Sequence, residues 1–574
     1  MRALLILAGA VAGAQDFSLT GVTIVDGTGA PPFTGNVSVR DGRIASLEKI
    51  SVASTPRYTL TAGFFDLHTH LPYSAVAGAI NDWGKNLKAY LYCGVTSVVD
   101  FGTYPETFEP MRRLLREGVL TGPRIHLAAR MSTPGGHGAE AGRGDFFTAE
   151  VTTPGEARAS ALRLLAYKPD VIKVFTDGWR YGAAPDMTSM DEGTLAAIVK
   201  EAHASQVEVL THTVTLEKAK IASRAGVDVI AHGIGNAPAD GEIISLMRKN
   251  GTTYAPTLAV YEARRPPPPP LLGLTAGPAA APSPARKARW DHLMTNTALL
   301  RGAGVRIATG TDAGVTGTYH GWSTLREMEL LTAGGLTPLE ALTAAMGNAA
   351  RALHADSERG TIAPGKLADL VLIEGAPHEN IHDVERVRRV WLGGREVDRA
   401  QLARDIASPR MTPIPSRKPP PLIDDMEAER TSLNTLRVNA TDSGHDHSKI
   451  LFQRTLRTAA NHALSIQAWM SDKSRPFAQV WFPLSPGGVE PVDASAFQGI
   501  EFEARGDGDY NVFFHRRGAR DNRLPFAKFT TGALWKALRV PLPEARSDLQ
   551  IVAFEIARPA GEHGWLELDN LRFY

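Results

Sequence analysis

The chain has 574 residues, of which 43% are hydrophobic and 21% charged, and its formal net charge at pH 7 is +1. This length favours roughly two to four domains, and the composition is typical of a soluble globular protein. A nearly neutral chain gives no electrostatic reason to expect a nucleic-acid partner. The single cysteine, Cys93, excludes an internal disulfide and a cysteine-rich zinc site.

Residues 1–14 have the pattern of a secretory signal peptide. Arg2 precedes an apolar run, Ala3 to Val11, and the small residues Ala12 to Ala14 follow. We therefore expect an exported protein, periplasmic or secreted. Because the apolar run is short, a first strand or an anchor is the alternative. No other stretch of the sequence approaches the roughly 20 apolar residues of a membrane span.

Two β-rich pieces lie far apart in the chain, at residues 15–61 and 356–400. Short runs rich in β-branched residues, such as Val22 to Val25 and Leu370 to Ile373, occur in both pieces. We expect the two pieces to pair with each other. They would then form one small β-sandwich domain that flanks the region between them.

In residues 62–355 short apolar runs alternate with helical stretches rich in Ala, Leu and charged residues. The strand candidates are Gly63 to Leu67, Gly94 to Asp100, Arg124 to Ala128, Val171 to Phe175, Val207 to Thr211, Val227 to Ala231, Thr253 to Pro256 and Val305 to Thr309. This alternation predicts an α/β fold with a (β/α)8 TIM barrel. An open doubly wound sheet is the alternative, and no Gly-rich dinucleotide fingerprint follows the first strand to support it.

Two proline-rich stretches interrupt this organisation. Arg264 to Pro284 cannot form a regular helix, and we expect a loop over the active face or a passive surface insertion. Residues 401–423 predict a semi-rigid linker. Beyond it, residues 424–574 contain alternating runs such as Ile500 to Ala504, which predict an antiparallel β-sandwich.

The candidate chemistry begins where the first apolar run of the barrel region ends, at His68 and His70. Side chains two apart on a strand share a face, so these two histidines can bind one metal ion. Further polar residues lie in or after other strand candidates, namely Lys173, His212, His232 and Asp312. Because the working residues of TIM barrels lie at the carboxyl ends of the strands, we expect these side chains to meet. Four histidines and one aspartate suit Zn²⁺ or a similar divalent ion.

Lys173 lies in the apolar run Val171 to Phe175. An isolated buried ammonium must be neutralised or paired. One solution is carbamylation, in which the neutral amine adds carbon dioxide and becomes N6-carboxylysine, a carboxylate-ended group that can bridge two metal ions. An ion-paired lysine at a strand end is the alternative.

These motifs together resemble the metal-dependent amidohydrolase superfamily, closest to its prolidase-like and imidazolonepropionase-related branch. The matching pieces are Ala62 to His70, Gly94 to Ser97, Thr133 to Gly138, Ile172 to Lys173, Thr211 to His212, Ala231 to Gly233, Gly310 to Gly314 and Gly360 to Leu370. The resemblance implies a binuclear hydrolase that cleaves an amide bond with a metal-bridging hydroxide. A Xaa-Pro-like dipeptide or an N-acyl amino acid is the implied kind of substrate.

The resemblance also implies a role for each residue. Two metal ions, zinc by the family's pattern, would be bound, and carbamylated Lys173 would bridge them. One ion would be held by His68, His70 and Asp312, and the other by His212 and His232. Asp312 would take the proton of the hydroxide and pass it to the leaving amine. His137 would polarise the substrate carbonyl or support the oxyanion, unless it only stabilises its Gly-rich turn.

The substrate itself is less well defined. Prolidase-like relatives often carry a tyrosine shortly after the third metal histidine, whereas His212 is followed here by Thr213 and Val214. This departure puts dipeptide specificity in doubt. The candidate substrate contacts are His137, His320 and Tyr254. For His320, a structural role in its loop is an equal alternative.

Residues 424–574 resemble the complex I intermediate-associated protein 30 family, which has a galactose-binding-like jelly roll. The resemblance rests on Asp424 to Glu427 and Trp565 to Leu571. It implies a glycan or protein ligand, or simple packing on the barrel. Trp469, Trp481 and Phe482 are candidates for a ligand platform, although aromatic residues more often fill a core.

Other functions remain open at this point. A lactonase or a cyclic amide hydrolase would need the same metal site as an amide hydrolase. A non-catalytic binding protein, acting through the C-terminal sandwich, is the alternative from a different class. The expected partners are a small-molecule substrate and, since relatives often form oligomers, further copies of the chain.

Overall fold

The computed structural model describes residues 16–51, 56–73, 82–140, 142–178, 187–263, 283–315, 317–444, 446–519 and 524–574. The predicted signal peptide and nearly all of the predicted loop from Arg264 to Pro284 lie outside the described residues. Within these ranges, no helix is both long enough and apolar enough to cross a membrane.

The first flank of the barrel is β-structure. Its strands are β1 (Phe17–Val25), β2 (Phe33–Arg40), β3 (Arg43–Lys49) and β4 (Tyr58–Ala62). β1 pairs antiparallel with β2 and parallel with β4. Val22, Ile24 and Val25 of β1 are buried, which is what the β-branched run predicts.

The central sheet follows, and its long strands pair in parallel. In chain order its strands are β5 (Phe64–Thr69), β6 (Val95–Asp100), β7 (Arg124–Ser132), β8 (Ala149–Glu150), β9 (Val171–Phe175), β10 (Glu208–His212), β11 (Val229–Ala231) and β12 (Thr253–Ala255). The order across the sheet is β5-β6-β7-β9-β10-β11-β12, and the short β8 pairs with β7. Because such strands are covered on both faces, their sequences are continuous apolar runs.

Residues 305–309 occupy the place of the predicted eighth strand. Tyr254 N donates to the carbonyl of Arg306 at 2.9 Å, and Leu67 N donates to the carbonyl of Thr309 at 3.0 Å. These bonds join the segment to β12 on one side and to β5 on the other. The result is a nearly closed parallel barrel, which confirms the predicted α/β barrel architecture.

The interior of the barrel is filled by side chains from many strands. This inner cluster includes Phe65, Leu67, Val99, Ala128, Val171, Leu210, Val229, Ala255 and Ala308. Residues two positions further along several strands share the inward face. Arg130, Lys173 and His212 therefore point into the barrel near its carboxyl end.

Helices surround the sheet and connect its strands. They are α1 (Trp83–Tyr92), α2 (Phe108–Arg116), α3 (Pro154–Leu165), α4 (Glu192–Ala204), α5 (Leu216–Ala225), α6 (Gly241–Asn250), α7 (Leu258–Tyr261), α8 (Pro284–Gly302), α9 (Trp322–Ala333), α10 (Pro338–Thr343) and α11 (Ala349–Ala352). Several begin at a capping side chain. The Asp191 carboxylate, for example, accepts a hydrogen bond from Thr194 N at the start of α4.

The second flank adds β13 (Leu370–Glu374), β14 (Val387–Leu392), β15 (Arg395–Glu396) and α12 (Arg399–Ala407). β13 pairs antiparallel with β4, so strands from both ends of the barrel region form one seven-stranded sheet. Its order is β15-β14-β13-β4-β1-β2-β3. The boundaries of the domains themselves stay predictions.

The C-terminal region is all β. Its strands are β16 (Leu422–Asp424), β17 (Val438–Thr441), β18 (Lys449–Thr458), β19 (Asn461–Trp469), β20 (Ala478–Pro483), β21 (Gly499–Gly506), β22 (Asp509–Arg516), β23 (Phe526–Thr530), β24 (Lys536–Pro541), β25 (Leu549–Ile556) and β26 (His563–Phe573). They form a six-stranded and a five-stranded antiparallel sheet. Phe482, Phe502 and Phe554 lie in the hydrophobic core that these strands share. The jelly-roll connectivity stays a prediction.

Candidate metal centre

His68 and His70 lie at the carboxyl end of β5. Nε2 of His70 is 2.8 Å from Oδ1 of Asp312, and Nε2 of His68 is 3.3 Å from the same oxygen. Asp312 N also donates to the carbonyl of His68 at 2.8 Å. The first strand and the segment that closes the barrel therefore bring these three predicted ligands together.

Lys173 and His212 enter the same space from the neighbouring strands β9 and β10. Nζ of Lys173 lies 4.4 Å from the centroid of the Phe101 ring, and the residue is 1% exposed. The His212 ring lies 4.5 Å from the His232 ring, which in turn lies 4.5 Å from the ring of His68. The structure thus gathers all six predicted ligands at one end of the barrel.

His232 and Asp312 have left-handed backbone conformations, with φ of 72° and 61°. Such values are uncommon outside glycine and are often found at functional sites. The turn at each residue follows directly on a buried segment of the barrel. Ligand atoms of His68, His232 and Asp312 lie within 4.8 Å of one another, close enough to share one metal ion.

Several polar atoms of the cluster lack hydrogen-bond partners in the described part of the chain. They are Nδ1 of His68, Nδ1 of His70, Nε2 of His212 and Nζ of Lys173. Buried polar groups in proteins nearly always have a partner, so unpartnered atoms of metal-binding types indicate a missing ligand. Imidazole and carboxylate donors in this number fit divalent ions of the zinc type.

The electrostatics of the site favour metal binding. Burial lowers the pKa of His68 and His212 and brings that of His232 to about 3. Burial works against ionisation of Asp312, but the hydrogen bond and charge of His70 hold its carboxyl pKa below the usual range. Because metal ligands must be deprotonated, the lowered pKa values of His68, His212, His232 and Asp312 favour metal binding at neutral pH.

Burial also shifts the pKa of Lys173 in the direction that favours its deprotonated form. Burial places the pKa of its amine well below the ordinary value, since the charged form has lost its water. A neutral amine is the form that can add carbon dioxide. The structure therefore fits the predicted chemistry of Lys173 without showing the modification.

His137 lies on the loop after β7, and its ring is 4.3 Å from that of His212. Nδ1 of His137 is 2.5 Å from Oε1 of Glu140, and the other carboxylate oxygen accepts from Gly138 N. Burial opposes the ionised form of Glu140, but the hydrogen bond and charge of His137 leave its pKa lowered. The ring thus lies beside the candidate ligand His212, and its Nδ1 is already paired with Glu140.

The two other predicted substrate contacts lie elsewhere. Tyr254 is fully buried, and its hydroxyl accepts a hydrogen bond from Ile234 N, so we correct that expectation. Its neighbour Ala255 faces the barrel interior, which turns Tyr254 toward the helices. His320 contacts Tyr90 through Nδ1 and the Tyr73 carbonyl through Nε2, a structural role that leaves neither nitrogen for a substrate.

Three supporting residues were not predicted from the sequence. Thr257 Oγ1 is 2.9 Å from Nδ1 of His232. The buried Asp66 carboxylate accepts from the hydroxyls of Thr311 and Thr324. Arg130 donates to the carbonyls of Phe101 and Gly138. Asp66 lies two residues before His68 on the same strand, a spacing at which side chains of a regular strand share a face. That spacing was the one sequence signal for a supporting role of Asp66.

Comparisons with known proteins agree with this site. The family model described as the amidohydrolase family matches residues 59–397, which is more than half of the chain. The chain therefore belongs to the amidohydrolase family, as its motifs predicted. It is a hydrolase that acts on carbon–nitrogen bonds.

Individual relatives are more distant. Ochratoxinase from Aspergillus niger is 26% identical over 396 residues, which covers 60% of this chain and 77% of the relative. Among solved structures, a Xaa-Pro dipeptidase with bound methionine has a TM-score of 0.57 and 23% identity, covering 67% of this chain and all of its own. The structure of A. niger ochratoxinase has a TM-score of 0.55 and 22% identity, covering 67% and 96%. These two structures support the fold.

Proposed function

We propose that this protein hydrolyses the amide bond of a small molecule, such as a Xaa-Pro-like dipeptide or an N-acyl amino acid. The observation that carries this proposal is the buried cluster of histidines, aspartate and lysine at the carboxyl end of the barrel, with its unpartnered nitrogens. The names of the relatives, an ochratoxinase and a Xaa-Pro dipeptidase, support a hydrolase of this general kind. We also propose that the protein is exported and that its C-terminal region has a jelly-roll fold.

Two divalent ions, zinc being the proposed metal, would be held by His68, His70, His212, His232, Asp312 and carbamylated Lys173. When bound, such ions supply Lewis acidity and a water of lowered pKa. The unpartnered nitrogens of three histidines and of Lys173 support this assignment. A lysine converted to N6-carboxylysine would offer two oxygens in place of one buried amine.

The chain's own residues then account for the transfer of protons and charge. Asp312, whose carboxyl pKa is held low by the hydrogen bond and charge of His70 against the effect of burial, would accept the proton of the attacking water and deliver it to the leaving amine. His137, whose Nδ1 is engaged by Glu140, would present its other ring nitrogen to the substrate carbonyl. Both groups lie on the same side of the barrel as the metal ligands.

The experiment is hydrolysis of a panel of Xaa-Pro dipeptides and N-acyl amino acids by the chain loaded with zinc in bicarbonate buffer. Turnover that disappears on chelation supports the proposal. Turnover of lactones or cyclic amides alone would keep the site and replace the substrate class. A chain that binds metal, turns over none of these and binds glycans would instead be a binding protein.

A further inference from the structure

The C-terminal sheets lie outside the matched family region, which ends at residue 397. The Xaa-Pro dipeptidase structure is matched over its whole length by 67% of this chain. This chain therefore carries an additional region whose role the comparisons do not explain. The contacts of that region with the barrel indicate what it does.

The C-terminal sheets contact the loop that carries His137. We call residues 137–147 the His137 loop, in which residue 141 is not described. Thr441 N, at the end of β17, donates to the carbonyl of Gly142 at 2.7 Å. Gly444 N donates to the carbonyl of Glu140 at 2.7 Å. Two backbone carbonyls of the loop are thus satisfied by the C-terminal region rather than by the barrel.

Side chains extend the same contact. The guanidinium of Arg143 lies 5.1 Å from the Trp481 ring, a cation–π distance. Gly144 packs so closely that a Cβ atom there would lie 2.2 Å from Oδ1 of Asn439. Trp481, a candidate ligand platform in the sequence, therefore faces the barrel.

A second loop of the barrel is held from the same side. The Glu106 carboxylate, after β6, pairs with Arg430 and accepts from Leu436 N at 3.1 Å. The Tyr104 hydroxyl donates to the carbonyl of Gly487 at 2.9 Å. The C-terminal region is therefore fixed against two adjacent loops at the active end of the barrel.

The His137 ring is connected to the C-terminal sheets through Glu140. Its side chain is 31% exposed and that of Glu140 is 21% exposed, so packing alone does not hold either one. The Glu140 carboxylate fixes the ring through Nδ1, and the Glu140 backbone is itself held by Gly444. A continuous series of contacts thus runs from the C-terminal sheets to a ring beside the metal ligands.

We propose that the C-terminal region is a structural part of the active site: it holds the His137 loop so that Glu140, a positioning residue, orients His137. This inference rests on the proposed function for its catalytic consequence. The claim that the C-terminal region holds the His137 loop does not depend on the substrate. It can be measured on the full chain without turnover.

A double-mutant cycle across the contact provides the test. Gly144→Ala adds a Cβ that collides with the side chain of Asn439, and Asn439→Ala removes that obstacle. Gly144 has φ of 69°, so the backbone strain of alanine is the same with and without Asn439. Leu456→Glu, at a side chain exposed on β18, serves as the control.

The first readout is amide hydrogen exchange. Gly144→Ala is expected to speed exchange in residues 137–147, and the double variant is expected to restore most of the protection. Equal exchange in the single and double variants would overturn the proposed hold on the loop. If Gly144→Ala does not fold, Trp481→Ala, which removes the ring that faces Arg143, replaces it in the same assay.

The second readout is turnover of whichever substrate the panel identifies. Gly144→Ala is expected to lower kcat by roughly 10- to 100-fold with little change in KM, because misplacing a catalytic group by about 1 Å can cost roughly 10²-fold. Glu140→Ala should do the same, and Glu140→Gln should recover part of the rate because it retains an acceptor oxygen. Altered exchange with unchanged kcat would overturn the role of the loop in catalysis but not its attachment.

Discussion

Nζ of Lys173 lies 4.4 Å from the centroid of the Phe101 ring and has no hydrogen-bond partner among the described residues. A buried amine in that condition destabilises the folded chain unless something binds it. The unpartnered amine of Lys173 therefore indicates a ligand that binds it, which is the basis of the first prediction.

Lys173→Met should stabilise the metal-free protein while reducing metal binding. Methionine has a similar volume and no polar atom to satisfy, so we expect a gain of about 1–3 kcal/mol in the free energy of unfolding. Urea denaturation after chelation measures the gain, and elemental analysis measures bound zinc. A metal-free variant less stable than wild type would show that the amine has a partner in the apo state.

Asp312→Asn should abolish most of the hydrolysis. The asparagine side chain cannot accept the proton of the attacking water, and proton transfer of this kind contributes roughly 10²- to 10⁴-fold. The measurement is kcat at saturating zinc, with the zinc content of the variant determined in parallel. A variant that retains full rate would remove Asp312 from the mechanism.

Thr257→Val should weaken metal binding through His232. The Thr257 hydroxyl is 2.9 Å from Nδ1 of His232, and loss of such a supporting bond typically lowers metal affinity by roughly 10- to 100-fold. Valine keeps the β-branched shape at a position with φ of 50°. Thr257→Ser retains the hydroxyl and should stay close to wild type in a zinc competition titration; equal loss in both variants would point to packing instead.

The metal-free protein should lose stability on mild acidification. Burial lowers the pKa of His232 to about 3 and that of His320 to about 4, from 6.5. Between these values the unfolded chain binds more protons than the folded chain, so the free energy of unfolding falls as the pH drops from about 6.5 to about 4.

His320→Gln isolates one part of this dependence. The variant lacks one of the groups that take up a proton only on unfolding, so its stability should fall less steeply over the same pH range. Urea titrations at several pH values on chelated protein provide the comparison. An unchanged slope would mean that His320 already binds its proton in the folded state.

Much of the barrel could be predicted from apolar runs, because strands buried on both faces need continuous hydrophobic sequence. The predicted run from Val171 to Phe175 has the same bounds as strand β9. The run from Val305 to Thr309 is different, since its backbone bonds to β12 and β5 form without a regular strand. Whether such a run forms a regular strand depends on how its backbone meets the neighbouring strands, which the sequence does not show.

The candidate metal ligands could be predicted because they lie in or after apolar runs that end at the same edge of the sheet. The left-handed turns at His232 and Asp312 could not, since φ depends on the local path of the chain. Tyr254 was placed wrongly because an apolar run buried on both faces does not reveal which face is inward. Thr257 follows β12 whereas His232 follows β11, and sequence spacing carries no signal for the contact between them.

The most direct test of the central claim is the metal content of the purified chain, measured together with hydrolysis of the substrate panel. The chain would be incubated with zinc and bicarbonate and freed of unbound metal before analysis. We expect about two zinc ions per chain and turnover that is lost on chelation. A chain with no bound metal, or one that hydrolyses its substrate equally well without metal, would contradict the account.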